Sequence, residues 1–216
     1  MPEKNGATAG RPPKLNRAAI VRTAIAIADH SGLDAVTMRA VADELDSVAA
    51  ALYRHVRNRE ELVDIVRDEV LDELPDIDAT GDWRADLHRF TVGLLTIHES
   101  HPWLSAGALP TELGPRARGT IDQAMTLLAG HPAPTGQKYS AVAVLFELVS
   151  GFARSSASAQ ALTSEFVSTS QRSDGENSGR EIDPSTGTDA QREHALAVIL
   201  AAVTGVLGDE EVRSHS

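Results

Sequence analysis

Apolar side chains recur along this chain at three- and four-residue spacing, and no persuasive two-residue alternation of a half-buried strand appears. Ile20, Val21, Ala24, Ile27 and Ala28 follow one face of a helix, which Asn16 can cap and Gly32 can end in a left-handed conformation. Thr37 can cap a short second helix with Val41, Ala42 and Leu45 inside, and a third, roughly Val48 to His55, follows after only two residues. Asn58 and Glu61 form an Asn variant of the capping box for a fourth helix, whose stripe of Leu62, Ile65, Val66, Val70 and Leu74 stops at Pro75. The spacing predicts an all-α chain.

The same pattern continues beyond Pro75. Trp83, Leu87, Phe90, Leu94 and Ile97 trace a helix that stops before Pro102. Pro115 suits a first helical position ahead of Ile121, Ala124, Met125 and Leu128. Thr135 can cap a long helix carrying Val142, Leu145, Phe146, Val149 and Phe152. A Thr188-x-x-Gln191 capping box starts the last helix, with Leu196, Ile199, Leu200, Val203 and Leu207 on its apolar side and Gly208 after it. Residues 168–187, rich in Ser, Gly, Asp and Thr, are expected to form a mobile loop, because they bury too little apolar surface to offset their ordering entropy. Residues 1–14 read as a flexible arm on the same grounds.

Charge divides the chain. The net charge of −11 over 216 residues argues against a nucleic-acid partner when taken as one number. Residues 1–63, however, hold nine Lys/Arg against eight Asp/Glu, whereas residues 64–216 hold 11 against 23, so +1 stands beside −12. The asymmetry suggests two parts with different partners. Zero cysteines exclude disulfides, thiolate zinc sites and a cysteine nucleophile. No uninterrupted apolar run reaches the roughly 18 residues of a membrane span, and the first residues lack the apolar centre of a secretory signal, so the cytosol is the expected location.

A short helix, a tight turn and a second short helix packed on a preceding one is the layout of a helix-turn-helix unit, although any antiparallel helix pair shares that topology. One helix fits the major groove of DNA while the helix before it crosses the backbone. The residues sharpen this. Gly32-Leu33-Asp34-Ala35-Val36-Thr37-Met38-Arg39, Val41-Ala42, Leu45, Leu52-Tyr53-Arg54-His55-Val56 and Asn58-Arg59-Glu60-Glu61-Leu62 strongly resemble the DNA-binding domain of the TetR (tetracycline-repressor-like) family over about residues 15–74. A weaker resemblance to the C-terminal domain of actinobacterial-type members runs through Gly81-Asp82-Trp83 and His101-Pro102-Trp103-Leu104 to residue 207. Three regions are implied: the arm at 1–14, a helix-turn-helix domain at 15–62, and a helical effector-binding and dimerisation domain at 63–208.

The resemblance implies that Thr37, Tyr53, His55 and Arg59 contact phosphates, while Arg39 and the outer face of Ala49, Ala50 and Arg54 meet base edges. Tyr53 as packing and Arg54 as a solvated charge are the plain alternatives. The turn departs from the family pattern: Leu45-Asp46-Ser47-Val48-Ala49 stands where many members have Leu-Gly-Val-Ser-Pro or Leu-Gly-Thr-Gly. Asp46 tolerates a left-handed backbone less easily than glycine, Val48 cannot cap, and Ser47 could take over the cap. With so few hydrogen-bonding side chains in the reading helix, DNA shape is expected to carry part of the recognition. Gly10-Arg11-Pro12-Pro13-Lys14 fits either a minor-groove arm or a plain leader.

For the acidic remainder, the resemblance implies an effector pocket and a homodimer formed through the last two helices. Phe90, Leu94, His98, Trp103, Met125, Leu128, Phe146 and Val149 are the candidate pocket residues for a small apolar molecule, each with a core role as its alternative. The small residues of the stretch Ser150 to Ala159 suit close helix approach. No phosphate-binding loop or nucleophile elbow is present, and His98-Glu99-Ser100-His101 falls one residue short of a zinc-protease pair. Both histidines are expected near a helix C-terminus, where partial negative charge favours protonated imidazole. The implied protein is a DNA-binding transcriptional regulator, most often a repressor, with a double-stranded operator and an unknown small-molecule effector as partners. No cofactor, metal or membrane is implied. A C-terminal domain that binds a protein or nothing is the second reading, and a helical metal-dependent enzyme using His98 and His101 the remote one.

Overall fold

The computed structural model describes residues 15–106, 112–173 and 184–208. Eight α-helices stand among them: α1 Arg17–Ser31, α2 Met38–Glu44, α3 Ala49–Leu52, α4 Arg59–Glu69, α5 Trp83–Ser100, α6 Pro115–Leu127, α7 Thr135–Ser173 and α8 Pro184–Leu207. Short 3₁₀ turns occupy Leu33–Ala35, Val70–Glu73 and Pro102–Ser105. The chain is all-helical, and it divides into two compact units, Met1–Val66 and Arg67–Ser216. That division falls inside α4, four residues beyond the boundary expected from the sequence.

Local chemistry accounts for the starts and stops in the first unit. The Asn16 side chain accepts from the Ala19 amide at 2.8 Å, and the Thr37 hydroxyl accepts from the Ala40 amide at 3.0 Å. Gly32 ends α1 with φ 79° and ψ 167°, a conformation reserved for glycine and more extended than the left-handed helical one expected. Asp46 does take the left-handed region, with φ 47°. Between them, Ile20 and Ala24 of α1, Val41 of α2, Leu52 of α3 and Leu62 of α4 are fully buried and form the core. A unit of this size buries little surface in total, so each of those side chains matters: truncating one such leucine to alanine costs about 2–5 kcal/mol.

Two expectations for the reading segment need correction. The helix there is only Ala49–Leu52, with the chain turning through Tyr53 to His55, because the His55 and Val56 amides close back on the Leu52 carbonyl (2.8 and 3.1 Å). Ser47 does not cap it. Val48 is the N-cap, without a side-chain hydrogen bond, and the Ser47 amide donates instead to the Ala42 carbonyl at 2.9 Å, closing the turn.

In the second unit, Leu87, Phe90 and Leu94 of α5 meet Leu127 and Leu128 at the end of α6, Val142, Leu145 and Val149 of α7, and Ile199 and Val203 of α8. Asp82 caps α5 through the Arg84 and Ala85 amides at 3.1 and 3.2 Å. Asp86, buried at the base of α5, accepts from the Thr80 amide (2.8 Å), the Thr80 hydroxyl (2.7 Å) and Arg89 (2.6 Å). These bonds hold its carboxyl below the usual range, the Thr80 hydroxyl contributing most.

The start of α6 is held from outside. Gly114 precedes it without a side chain to cap with, and a Cβ there would sit 2.2 Å from the Asp68 carboxylate. That carboxylate takes the vacant role, accepting from the Ala117 amide at 2.9 Å and the Arg116 amide at 3.3 Å. Arg116 in turn pairs with Glu69 (3.0 Å) and Asp72 (3.2 Å), tying the start of α6 to the end of α4 and the following turn.

Within the stretch expected as a loop, 168–187, residues 168–173 and 184–187 are helical. Helix α7 continues to Ser173 and α8 begins at Pro184; residues 174–183, like the arm at 1–14, lie outside the described residues. Extending an existing helix gains one hydrogen bond per residue fixed, so α7 runs on through polar sequence that would not nucleate a helix alone. Pro184 supplies a pre-set first position for α8, four residues ahead of the expected Thr188 box. Although no uninterrupted apolar run was evident, Asp189–Leu207 is long and apolar enough by composition to cross a membrane, with 28% of that stretch buried. Ala195, Leu196, Ile199, Val203 and Leu207 form its inward stripe.

Candidate nucleic-acid interface and effector cavity

The capped start of α2, the short α3 and the turn after it carry Thr37, Arg39, Ala49, Ala50, Tyr53, Arg54 and His55, and α2 and α3 adjoin in the first unit. Burying Leu52 and Val56 turns the rest of the segment outward: Ala50, Tyr53 and Arg54 are exposed, and Ala49 and His55 half-buried. The Thr37 oxygen accepts the Ala40 amide, which leaves its O–H proton as a donor. Arg39 has a side chain 89% exposed, with Asp43 at 3.7 Å as a loose partner. An exposed pair at that distance is worth little and yields readily to a phosphate or a base.

Arg59 is turned inward. Its Nε donates to the Val36 carbonyl at 2.7 Å and its Nη2 to the Leu33 carbonyl at 2.6 Å, so it clamps the 3₁₀ turn that leads into Thr37. Arg57 is the outward cation beside it, 85% exposed and paired with Glu61 at 3.1 Å. Glu61 accepts from the Arg57 amide, which with Arg57's charge lowers its carboxyl pKa, while the Asn58 side chain accepts the Glu61 amide at 2.8 Å. The capping box therefore forms with its return bond one residue earlier than a strict box. Val48, 67% exposed, also belongs to this surface, though nothing in a count of donors would select it.

The candidate pocket residues of the second unit are distributed otherwise. Phe90, Leu94, Leu128 and Val149 are fully buried in the core, with Met125 and Phe146 packed against it; Phe90 meets Phe146 edge-on at 6.3 Å. Trp103 is buried beside His101 at 5.5 Å between ring centres. Only His98 of the eight lines the open space of about 200 Å³ between α5, α7 and α8. Its walls are Leu95 and Glu99 of α5, Pro102 of the 3₁₀ turn that follows, Phe152, Ala153 and Ser156 of α7, and Gln191, Arg192 and Ala195 of α8. Ala153 and Ser156 belong to the small-residue stretch expected to suit close helix approach, and with Ala195 of α8 they leave room that longer side chains would fill.

The cavity is mostly apolar with ordered polar groups. Arg192 pairs with Glu99 at 3.1 Å and donates to Thr96 at 2.6 Å, and Gln191 donates to Ser156 at 3.2 Å. His98 Nδ1 lies 2.6 Å from the Ser105 hydroxyl. The protonated imidazole expected at the end of α5 is not what this environment favours. Burial, aided by the positive charge of Arg154, lowers the His98 pKa to about 4, outweighing the attraction of the helix C-terminus. His101 caps α5 and faces Glu73 at 3.2 Å, so the two histidines face different partners. Among the described residues no group of three or more His, Asp or Glu could hold a metal ion.

Residues 20–66 match the model of bacterial regulatory proteins of the tetR family. Those residues form a TetR-family domain. Two curated relatives agree. The chain is 34% identical over 149 residues to the HTH-type transcriptional repressor DrrR1 of Streptomyces coeruleorubidus, covering 68% of this chain and 55% of that one. It is also 34% identical over 119 residues to an HTH-type transcriptional regulator of Saccharopolyspora erythraea, covering 54% and 49%. The match thus spans about half the length of these relatives. Among solved structures, the Streptomyces coelicolor TetR family protein ActR in complex with actinorhodin superposes with a TM-score of 0.70 at 26% identity, over 91% of this chain and all of that one. The TetR family is one of transcriptional regulators, not of enzymes.

Proposed function

We propose that this chain is a cytoplasmic transcriptional repressor of the TetR family that binds a near-palindromic operator as a homodimer and releases it when a small molecule enters the second unit. One observation carries the DNA reading. Within the matched residues, the surface of α2, α3 and the turn after α3 combines phosphate-type donors (Thr37, Tyr53, His55) with base-type contacts (Arg39, Ala49, Ala50, Arg54), while Val41, Ala42, Leu52 and Val56 turn inward. Arg59 supports the surface by holding the turn before Thr37. The domains of this reading are the arm at 1–14, the DNA-binding unit to about residue 62–66, and the effector and dimer unit beyond it.

Dimerisation through α7 and α8 is supported by the apolar stretch of α8, which is mostly unburied in one copy and includes the exposed Val198. Two reading helices in such a dimer would lie about 34–36 Å apart, one turn of DNA. The cavity at His98 supports an effector of modest size, since about 200 Å³ is below the usual range of about 300–1,000 Å³ for drug-sized ligands. The ligand acts through differential affinity for two conformations. Asp68 and Arg116 are the proposed link, because they join α6 to the end of α4, the helix that enters the DNA-binding unit. Selection of bound duplexes from a random library, followed by footprinting of the DNA flanking the gene with and without candidate small molecules, tests the whole reading. An enriched inverted repeat protected by the protein is the supporting result; no enrichment refutes it.

A further inference from the structure

Val48 is the most exposed of the large hydrophobic side chains among the described residues, at 67%, and Tyr53, five residues on, is the next. Neither folding nor local stability explains a valine there. The N-cap of a helix prefers Ser, Thr, Asp or Asn, whose oxygen can accept an orphan amide, and valine offers none; no side-chain hydrogen bond caps α3. The turn before it is closed by backbone bonds from Ser47 and Asp46 to Ala42 and Asp43, so it needs nothing from the Val48 side chain. The inward positions of the segment are already filled by Leu52 and Val56.

The surface around it is chemically unusual for a reading helix. Val48 and Ala50 present methyl groups outward with the half-buried Ala49 between them, and hydrogen-bonding groups follow only at Tyr53, Arg54 and the half-buried His55. In the major groove one base alone displays a methyl group: thymine, at C5. A side chain with two methyls and no donor or acceptor can distinguish thymine by contact and gains nothing from the other three bases. We infer that Val48 is a specificity-determining residue that packs against the C5-methyl of a thymine in each operator half-site. This rests on the DNA-binding reading above and adds to it a base and an atom.

The test uses the full chain and the duplex enriched from the random library. Each thymine of one half-site is replaced in turn by deoxyuridine, which removes the methyl and keeps the pairing, and Kd is measured at fixed salt by fluorescence anisotropy. At one thymine per half-site, uracil weakens wild-type binding about threefold to fourfold, and by about tenfold when both half-sites are changed. Val48→Ser, which removes the methyls and supplies a capping hydroxyl, binds the thymine and uracil duplexes equally, and its melting temperature is not below that of the wild type. Wild-type affinity that ignores uracil at every thymine overturns the inference, as does a Val48→Ser variant that keeps the full thymine preference. If Val48→Ser also leaves overall affinity unchanged, Val48 lies outside the DNA contact. If no duplex is enriched at all, the parent reading fails first and this one with it.

Discussion

Replacing Asp68 with alanine removes the only side-chain cap on the start of α6 among the described residues, and its cost follows from the bonds it makes. The carboxylate accepts from two amides, Ala117 at 2.9 Å and Arg116 at 3.3 Å, and stands at the positive end of the α6 dipole. Loss of an N-cap acceptor costs about 1–2 kcal/mol, and loss of a negative charge at a helix start adds about 0.3–1 kcal/mol. Arg116 remains paired with Glu69 at 3.0 Å, so no buried cation is abandoned. The sum is about 2 kcal/mol, or roughly 4–8 °C in the melting transition of a unit of this size. Asp68→Asn keeps an acceptor and should recover more than half of the loss. Urea denaturation followed by circular dichroism measures all three proteins. An Asp68→Ala variant within about 0.5 kcal/mol of the wild type would refute the account of how α6 is anchored, and with it the proposed link to α4.

Three further outcomes follow from the same geometry. His98 binds a proton near pH 6.5 in the unfolded chain but only near 4 when folded, so its contribution to stability is complete above pH 6.5 and is lost as pH falls toward 4. The stability of wild type relative to His98→Gln should therefore fall by about 3 kcal/mol across that window, and parallel curves for the two proteins would contradict the burial argument. Asp46 at φ 47° makes Asp46→Ala less stable than Asp46→Gly by about 1 kcal/mol, measurable by thermal melting; equal melting temperatures would show that the turn relaxes. Arg59→Met loses two charge-assisted bonds to the Leu33 and Val36 carbonyls, costing about 1–2 kcal/mol after allowance for its partial exposure, with operator affinity falling as Thr37 loses its support.

The helices and most of their caps could be read from residue type because they are local: Asn16, Thr37, Asn58 and Pro115 act within one turn of themselves. Asp46 likewise announced its strained backbone by standing where glycine is usual. What escaped was set by distant partners. The cap of α6 comes from Asp68, nearly fifty residues away, and no local pattern around Gly114 indicates it. Arg59 reads as a phosphate donor until the carbonyls of Leu33 and Val36 are found in its reach. The large apolar residues that suit a pocket by type fill the core, and open space lies where Ala153, Ser156 and Ala195 leave it. His98 followed the same rule: its helix position suggests a proton, and its burial beside Arg154 removes one.

The central claim is that the exposed faces of α2 and α3 read DNA. Titration of the selected duplex with wild type and with an Arg39→Ala, Arg54→Ala double variant at several salt concentrations tests it most directly. Neither arginine supports the core, so the variant should melt with the wild type. Loss of two base-edge contacts per reading unit should weaken operator binding by at least about tenfold, with far less change on a scrambled duplex. Equal affinity of the two proteins for the operator would contradict the assignment of this surface.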